Sequence, residues 1–178
     1  MQMQTLAHIA ERLDGGETSS RALTEDALAR IEDPDGEGPA AFVRVFRDSA
    51  LAAADASDGL RAQGIVPSPM AGIPFSIKDL CDVAGLTTNA GSVVMRNTPP
   101  AMRDAPVVAR LRAAGAVIMG TTNMTEFAVG GLGLNPHYGN CRNPYDRDTG
   151  RVPGGSSSGA AVSVSDGMAA AGLGTDTA

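Results

Sequence analysis

The chain has 178 residues and a mass of 18.0 kDa, enough for one domain with a substantial core. Hydrophobic residues at 43% and charged residues at 19% exclude a disordered chain and a coiled coil, and no apolar run approaches the ~18 residues that a membrane helix needs. A formal charge of −6 and a pI of about 4.8 argue against direct binding of nucleic acid.

In chain order, Leu6, Ile9, Ala10 and Leu13 follow the i, i+3, i+4, i+7 spacing of a helix face, and Gly15-Gly16 ends the pattern. Ser19 or Ser20 caps a second helix whose apolar face is Leu23, Ala27, Leu28 and Ile31. Residues 34–39 form a turn-rich break, and 42–46 alternate as a strand with one solvated face. Residues 48–63 read as an alanine-rich helix, weakened by Gly59 and closed by Gly64. Residues 73–77 read as a short buried strand, with Pro74 near its start where a missing N–H is tolerated. A helix over 106–114 carries Pro106 in its first turn and Gly115 past its end, and 116–119 follow as a buried strand. Asn123 with Glu126 three residues on predicts another helix start. Residues 130–153 form a loop of a length that is uncommon unless it lines a site. Residues 168–174 read as a further buried segment. Helix, glycine and short apolar strand in succession predict an α/β architecture.

Two features outside this pattern point to chemistry. The run Gly154-Gly-Ser-Ser-Ser-Gly159 reads as a flexible linker, as a tight turn entering a close-packed helix, or as a phosphate loop; the last lacks a Gly-Lys-Ser/Thr ending. The second is Lys78, a single lysine beside 13 arginines, placed at the end of an apolar strand. A hydroxyl becomes a good nucleophile when a base takes its proton, and lysine is such a base only when burial keeps it uncharged. The alternative is a packed stem with the ammonium head in water or paired with Asp79. The secretory pattern of a basic start and an apolar block is missing from the first residues, and Cys81 and Cys141 are too few for a disulfide framework, so a reduced cytoplasmic protein is expected. His8 and His137 have no ligand partners at metal-binding spacing, so no metal site is expected.

Several blocks carry a resemblance. Gly-Ile-Pro-Phe-Ser-Ile-Lys-Asp (72–79), Asp-Ala-Pro-Val-Val-Ala-Arg-Leu-Arg-Ala-Ala-Gly-Ala (104–116) and Gly-Thr-Thr-Asn-Met-Thr-Glu-Phe-Ala (120–128) are followed by Arg-Asn-Pro-Tyr (142–145), Pro-Gly-Gly-Ser-Ser-Ser-Gly (153–159) and Gly-Thr-Asp-Thr-Ala (174–178). In order and spacing they resemble the amidase signature family. The resemblance implies a mixed β-sheet core flanked by helices, incomplete in this chain, with 1–178 forming the N-terminal part of a single domain: a mostly helical region over 1–65 and the start of the catalytic core over 66–178. It implies amide hydrolysis by a Ser–cis-Ser–Lys triad, with Lys78 as base and Ser156, preceded by a cis peptide bond, as bridging serine. The nucleophile is expected two positions beyond Ala178. Thr177 and Ala178 match part of the oxyanion hole, Ala128, Val129, Gly130 and Gly131 the acyl pocket, and Ser157 and Ser158 support the site. No cofactor is implied. The expected partners are a small-molecule amide and either a second copy or a complementing C-terminal segment, with no direct nucleic-acid or membrane contact. The alternatives are the amidase subunit of a tRNA-dependent amidotransferase and a non-catalytic fragment.

Overall fold

In the computed structural model, residues 4–176 are described. Among them, six α-helices and four strands follow in the order α1 (Leu6–Asp14), α2 (Ser20–Ile31), α3 (Gly38–Ala41), β1 (Phe42–Val45), α4 (Arg47–Arg61), β2 (Pro74–Lys78), α5 (Pro106–Ala113), β3 (Val117–Thr122), α6 (Ser158–Ser165) and β4 (Ala171–Leu173). The sheet order is β1-β3-β2-β4. Strand β2 lies at its centre, parallel to both β3 and β4, while β1 runs antiparallel on β3. The fold is therefore a mixed sheet flanked by helices, of the α/β class.

Alternation along the strands divides the core into two layers. Val117 and Met119 of β3 face Leu28, Ile31, Ala54 and Val162, on the side of α2, α4 and α6. Ile118 of β3 and Phe75 and Ile77 of β2 face Ile9, Leu13 and Val108, on the side of α1 and α5. Every residue of β2 and β3 is buried, as expected of central parallel strands covered on both faces. The same period of two turns Ser76 and Lys78 to the face opposite Ile77, beneath α6. Ser76 meets Ser163 of α6, with their hydroxyls 2.8 Å apart.

Most elements lie where the sequence puts them. Ser19 is the cap of α2, its hydroxyl accepting from the Ala22 N–H, and Thr5 does the same for α1 from the His8 N–H. A short helix, α3, begins inside the expected break at 34–39, because Glu37 is buried there against Arg142, with an Nε–Oε1 distance of 2.7 Å. The helix expected from Asn123 does not form. The Asn123 side chain donates to the carbonyls of Ala40 and Gly139 and accepts from the next N–H, so it is spent on tertiary bridges rather than on a cap. Only a single 3-10 turn, Glu126–Ala128, follows, with Phe127 and Ala128 in the left-handed region at φ 51° and 61°. The linker reading of 154–159 is likewise overturned: the segment is a turn that enters α6.

Candidate active site

Lys78 ends β2, at the carboxyl edge of the parallel strands, where open α/β sheets place their ligands. Its side chain is fully buried. The amine donates to Ser156 Oγ at 2.7 Å and to Thr175 Oγ1 at 2.6 Å. Its two hydrogen-bond partners among the described residues are thus hydroxyls, not carboxylates; neither solvent nor Asp79 takes the head group. Burial lowers the Lys78 pKa from the usual lysine range, opposed only by the nearby Cys81. The Cys81 thiol is itself pushed up by burial, so it supplies little counter-charge. A lowered pKa makes the uncharged amine easier to reach, and an uncharged amine beside a hydroxyl can take that hydroxyl's proton.

Ser156 reaches the amine because of the turn before α6. The Gly155–Ser156 peptide bond is cis. Its two sides are held by the 125–131 segment: Thr125 N–H donates to the Ser156 carbonyl at 3.0 Å, and Gly155 N–H donates to the Gly131 carbonyl at 2.8 Å. Close approach at the start of α6 requires glycine. A Cβ on Gly159 would run into the Ala41 carbonyl oxygen and the Asn123 backbone.

The other expected residues divide. Ser157 accepts from the Thr175 N–H at 3.2 Å and so ties the cis turn to the segment after β4. Ser158 is buried, its hydroxyl 3.5 Å from the Asn123 carbonyl. Ala128, Val129, Gly130 and Gly131 lie beside the cis turn; Val129 is exposed, and Gly131 makes the contact to Gly155 already given. Thr177 and Ala178 fall outside the described residues. His8 and His137 are not bare: each lies near a carboxylate, His8 by Glu11 at 3.8 Å and His137 by Glu126 at 3.5 Å. A groove lined by Ile9, Leu23, Ala27, Pro74 and Ala170 and a polar recess beside Glu37 and Arg147 both lie elsewhere and contain neither Lys78 nor Ser156.

Thr175 is the residue that reading the sequence missed. It sits in the Gly-Thr-Asp-Thr-Ala block, but nothing in that block tells which of its two threonines turns toward a lysine 97 positions earlier.

Comparison with known proteins identifies the family. The family model described as Amidase matches residues 22–178. The AtzE subunit of 1-carboxybiuret hydrolase from Pseudomonas sp. (strain ADP) is 47% identical over 169 residues, 95% of this chain and 36% of that protein. A glutamyl-tRNA(Gln) amidotransferase subunit from Chromohalobacter salexigens is 44% identical over 177 residues, 99% of this chain and 35% of that protein. A solved structure, of a vestigial protein complex that reveals the evolutionary origins of an s-triazine catabolic enzyme, superposes with a TM-score of 0.86 at 46% identity, covering 93% of this chain and 36% of that one. The chain spans about a third of the length of the relatives it matches. With a family model over most of its length, close relatives and a shared fold, this chain belongs to the amidase signature family.

Proposed function

We propose that the full-length protein is an amide hydrolase and that this chain, as the N-terminal part of one amidase domain, carries two of its three triad members. The observation that carries the reading is the 2.7 Å contact between the buried amine of Lys78 and the Ser156 hydroxyl. Neutral Lys78 takes the proton of Ser156 while Ser156 takes the proton of a nucleophilic serine, expected two positions beyond Ala178. The serine oxygen adds to the amide carbon. The proton returns through Ser156 to the nitrogen, the C–N bond breaks and the amine leaves an acyl-enzyme. Water, deprotonated by the same relay, adds to the ester and releases the acid. Thr177 and Ala178 are assigned N–H donors to the oxyanion, each such donor being worth about 3–4 kcal/mol. Ala128, Val129, Gly130 and Gly131 are assigned to the acyl pocket, and Ser157 and Ser158 to support.

The substrate is a small-molecule amide. A second reading, the amidase subunit of a tRNA-dependent amidotransferase, is favoured by relatives of that kind at nearly the same identity, 44% against 47%. Relatives of both kinds are named as subunits, so a partner protein is proposed ahead of a second copy of this chain. Among the described residues no helix is long and apolar enough to cross a membrane. Cys81 and Cys141 are free, which suits the proposed cytoplasmic location.

Lys78→Ala and Ser156→Ala in the full-length protein should each lower kcat by about 10³-fold or more, with circular dichroism unchanged. Retention of a tenth of the turnover in either variant rules its residue out. In the full-length protein the carbon-13 side-chain resonance of Lys78 is the one lost in Lys78→Arg, and it can then be titrated. The midpoint should lie below the ordinary lysine value, and kcat should rise with pH as the amine loses its proton. A midpoint at or above that value defeats the role of base. Hydrolysis of glutamine in preference to simple amides would decide for the amidotransferase reading.

A further inference from the structure

The loop over 125–134 flanks Ser156; within itself it makes the turn bonds Ala128 N–H to the Thr125 carbonyl and Val129 N–H to the Glu126 carbonyl, and Gly133 packs on the turn before α6. Phe127, Ala128, Gly130 and Gly133 all have positive φ, and Val129 and Leu132 are 80% and 60% exposed, so burial of apolar surface does not fix its shape. Its two feet are instead joined by one side chain. Asn135 is fully buried. Its Nδ2 donates to the Met124 carbonyl at one foot and to the Gly91 carbonyl on a neighbouring turn, both at 2.8 Å. Its Oδ1 accepts the N–H groups of His137 at 2.8 Å and Tyr138 at 3.1 Å. All four hydrogen-bonding positions of the amide are filled. Gly91 allows this approach: with φ at +66°, a Cβ there would press on the Met124 carbonyl oxygen and on Asn135 Nδ2, at 2.8 and 2.9 Å. The same turn receives the Phe127 N–H, at 2.8 Å from the Ala90 carbonyl oxygen.

We propose that Asn135 is a positioning residue for acyl-group selection: by clamping the feet of the 125–134 loop it fixes the wall beside Ser156 through the Thr125–Ser156 and Gly155–Gly131 hydrogen bonds. This rests on the amidase reading for the meaning of the wall, but not for the clamp itself. Aspartate has the same shape as asparagine. It keeps the acceptor toward His137 and Tyr138 and sets an oxygen against the two carbonyl oxygens; even when that oxygen carries a proton it can donate to only one of them, so the clamp loses at least one of its two bonds.

The test has two arms in the full-length protein. In the first, amides of one fixed amine with acetyl and benzoyl groups are compared. Asn135→Asp should shift the ratio of their kcat/KM values at least tenfold, while a series with a fixed acyl group and varied amines shifts less than twofold. Loss of folded enzyme scales all substrates alike and leaves such ratios untouched. An acyl ratio within twofold of the original overturns the assignment. The second arm needs no turnover. Amide hydrogen exchange of Thr125, Phe127 and Gly155 should quicken at least tenfold in Asn135→Asp, with Ile77 and Ile118 unchanged; unaltered exchange at the first three defeats the clamp. If the original protein hydrolyses no amide, the amidase reading falls and this arm alone decides. If Asn135→Asp does not fold, Asn135→Ser takes its place: the shorter side chain keeps an acceptor for the His137 N–H and withdraws from the Met124 and Gly91 carbonyls. The same amides should quicken at least tenfold, and unaltered exchange there overturns the proposal.

Discussion

Charged, the Lys78 amine donates to two hydroxyls; uncharged, it keeps an N–H for Thr175 and turns its lone pair to the Ser156 proton, so Thr175 constrains which way that lone pair points. A hydrogen bond given by an ammonium is roughly twice as strong as one given by a neutral donor. Thr175 Oγ1 therefore stabilises the charged amine more than the uncharged one, against the effect of burial. Thr175→Val, which keeps the shape and deletes the acceptor, should lower kcat about tenfold by freeing the amine to rotate. It should also move the rising limb of the pH–rate profile to lower pH. A pH–rate profile of the variant checks both; a limb displaced to higher pH contradicts the assigned direction of that bond.

The strand β2 and the helix α6 meet through small groups. Ser76 touches Ser163, and Gly159 lies against the Ala41 carbonyl and the Asn123 backbone. This close seating lets the turn before α6 bring Ser156 down to the end of β2. Gly159→Ala forces one methyl group into backbone that has no side-chain freedom to yield. Overpacking of that kind costs about 1–3 kcal/mol, and the rigid partners place this case at the upper end. The urea midpoint of the variant should fall accordingly, and kcat should fall with it because α6 is lifted off the lysine. Full activity with unchanged stability shows that the seating is not needed.

For the whole molecule, the buried carboxyl of Asp79 is the informative titration. Burial pushes its pKa up to about 6, while Arg44 and the amides of Asn89 and Gly91 pull the other way. Raised above its unfolded value near 3.8, the folded protein holds this proton more tightly. Stability is thus greatest below about pH 4 with respect to this group, and it declines as pH rises through about 6. Each pKa unit is worth about 1.4 kcal/mol, so the loss is on the order of 2–3 kcal/mol by pH 7. Asp79→Asn should flatten the dependence of the urea midpoint on pH between 4 and 7. An equally steep dependence in the variant assigns it to other groups.

How far the sequence carried varied with the range of the interaction. Helix faces, Pro and Gly punctuation and the apolar strands follow from neighbours a few residues apart, and α1, α2, α4, α5, β2 and β3 stand close to where those signals put them. The Asn123 motif failed because a side chain that satisfies a local pattern also satisfies distant carbonyls, and here the Ala40 and Gly139 carbonyls took it. Lys78 and Ser156 were legible as residues, from a lone lysine on an apolar strand and a Gly/Ser turn of family type. That their polar atoms stand 2.7 Å apart was settled only by the parallel pairing of β2 with β3 and β4 and the docking of α6. Thr175 and the two donor positions of Asn135 belong to that level. They are set by groups 11 to 97 residues away, and a threonine or an asparagine in a loop gives no local sign of such partners. Local sequence determines backbone preference and side-chain type; burial and long-range pairing decide which side chains meet, and hence which amine has its pKa lowered.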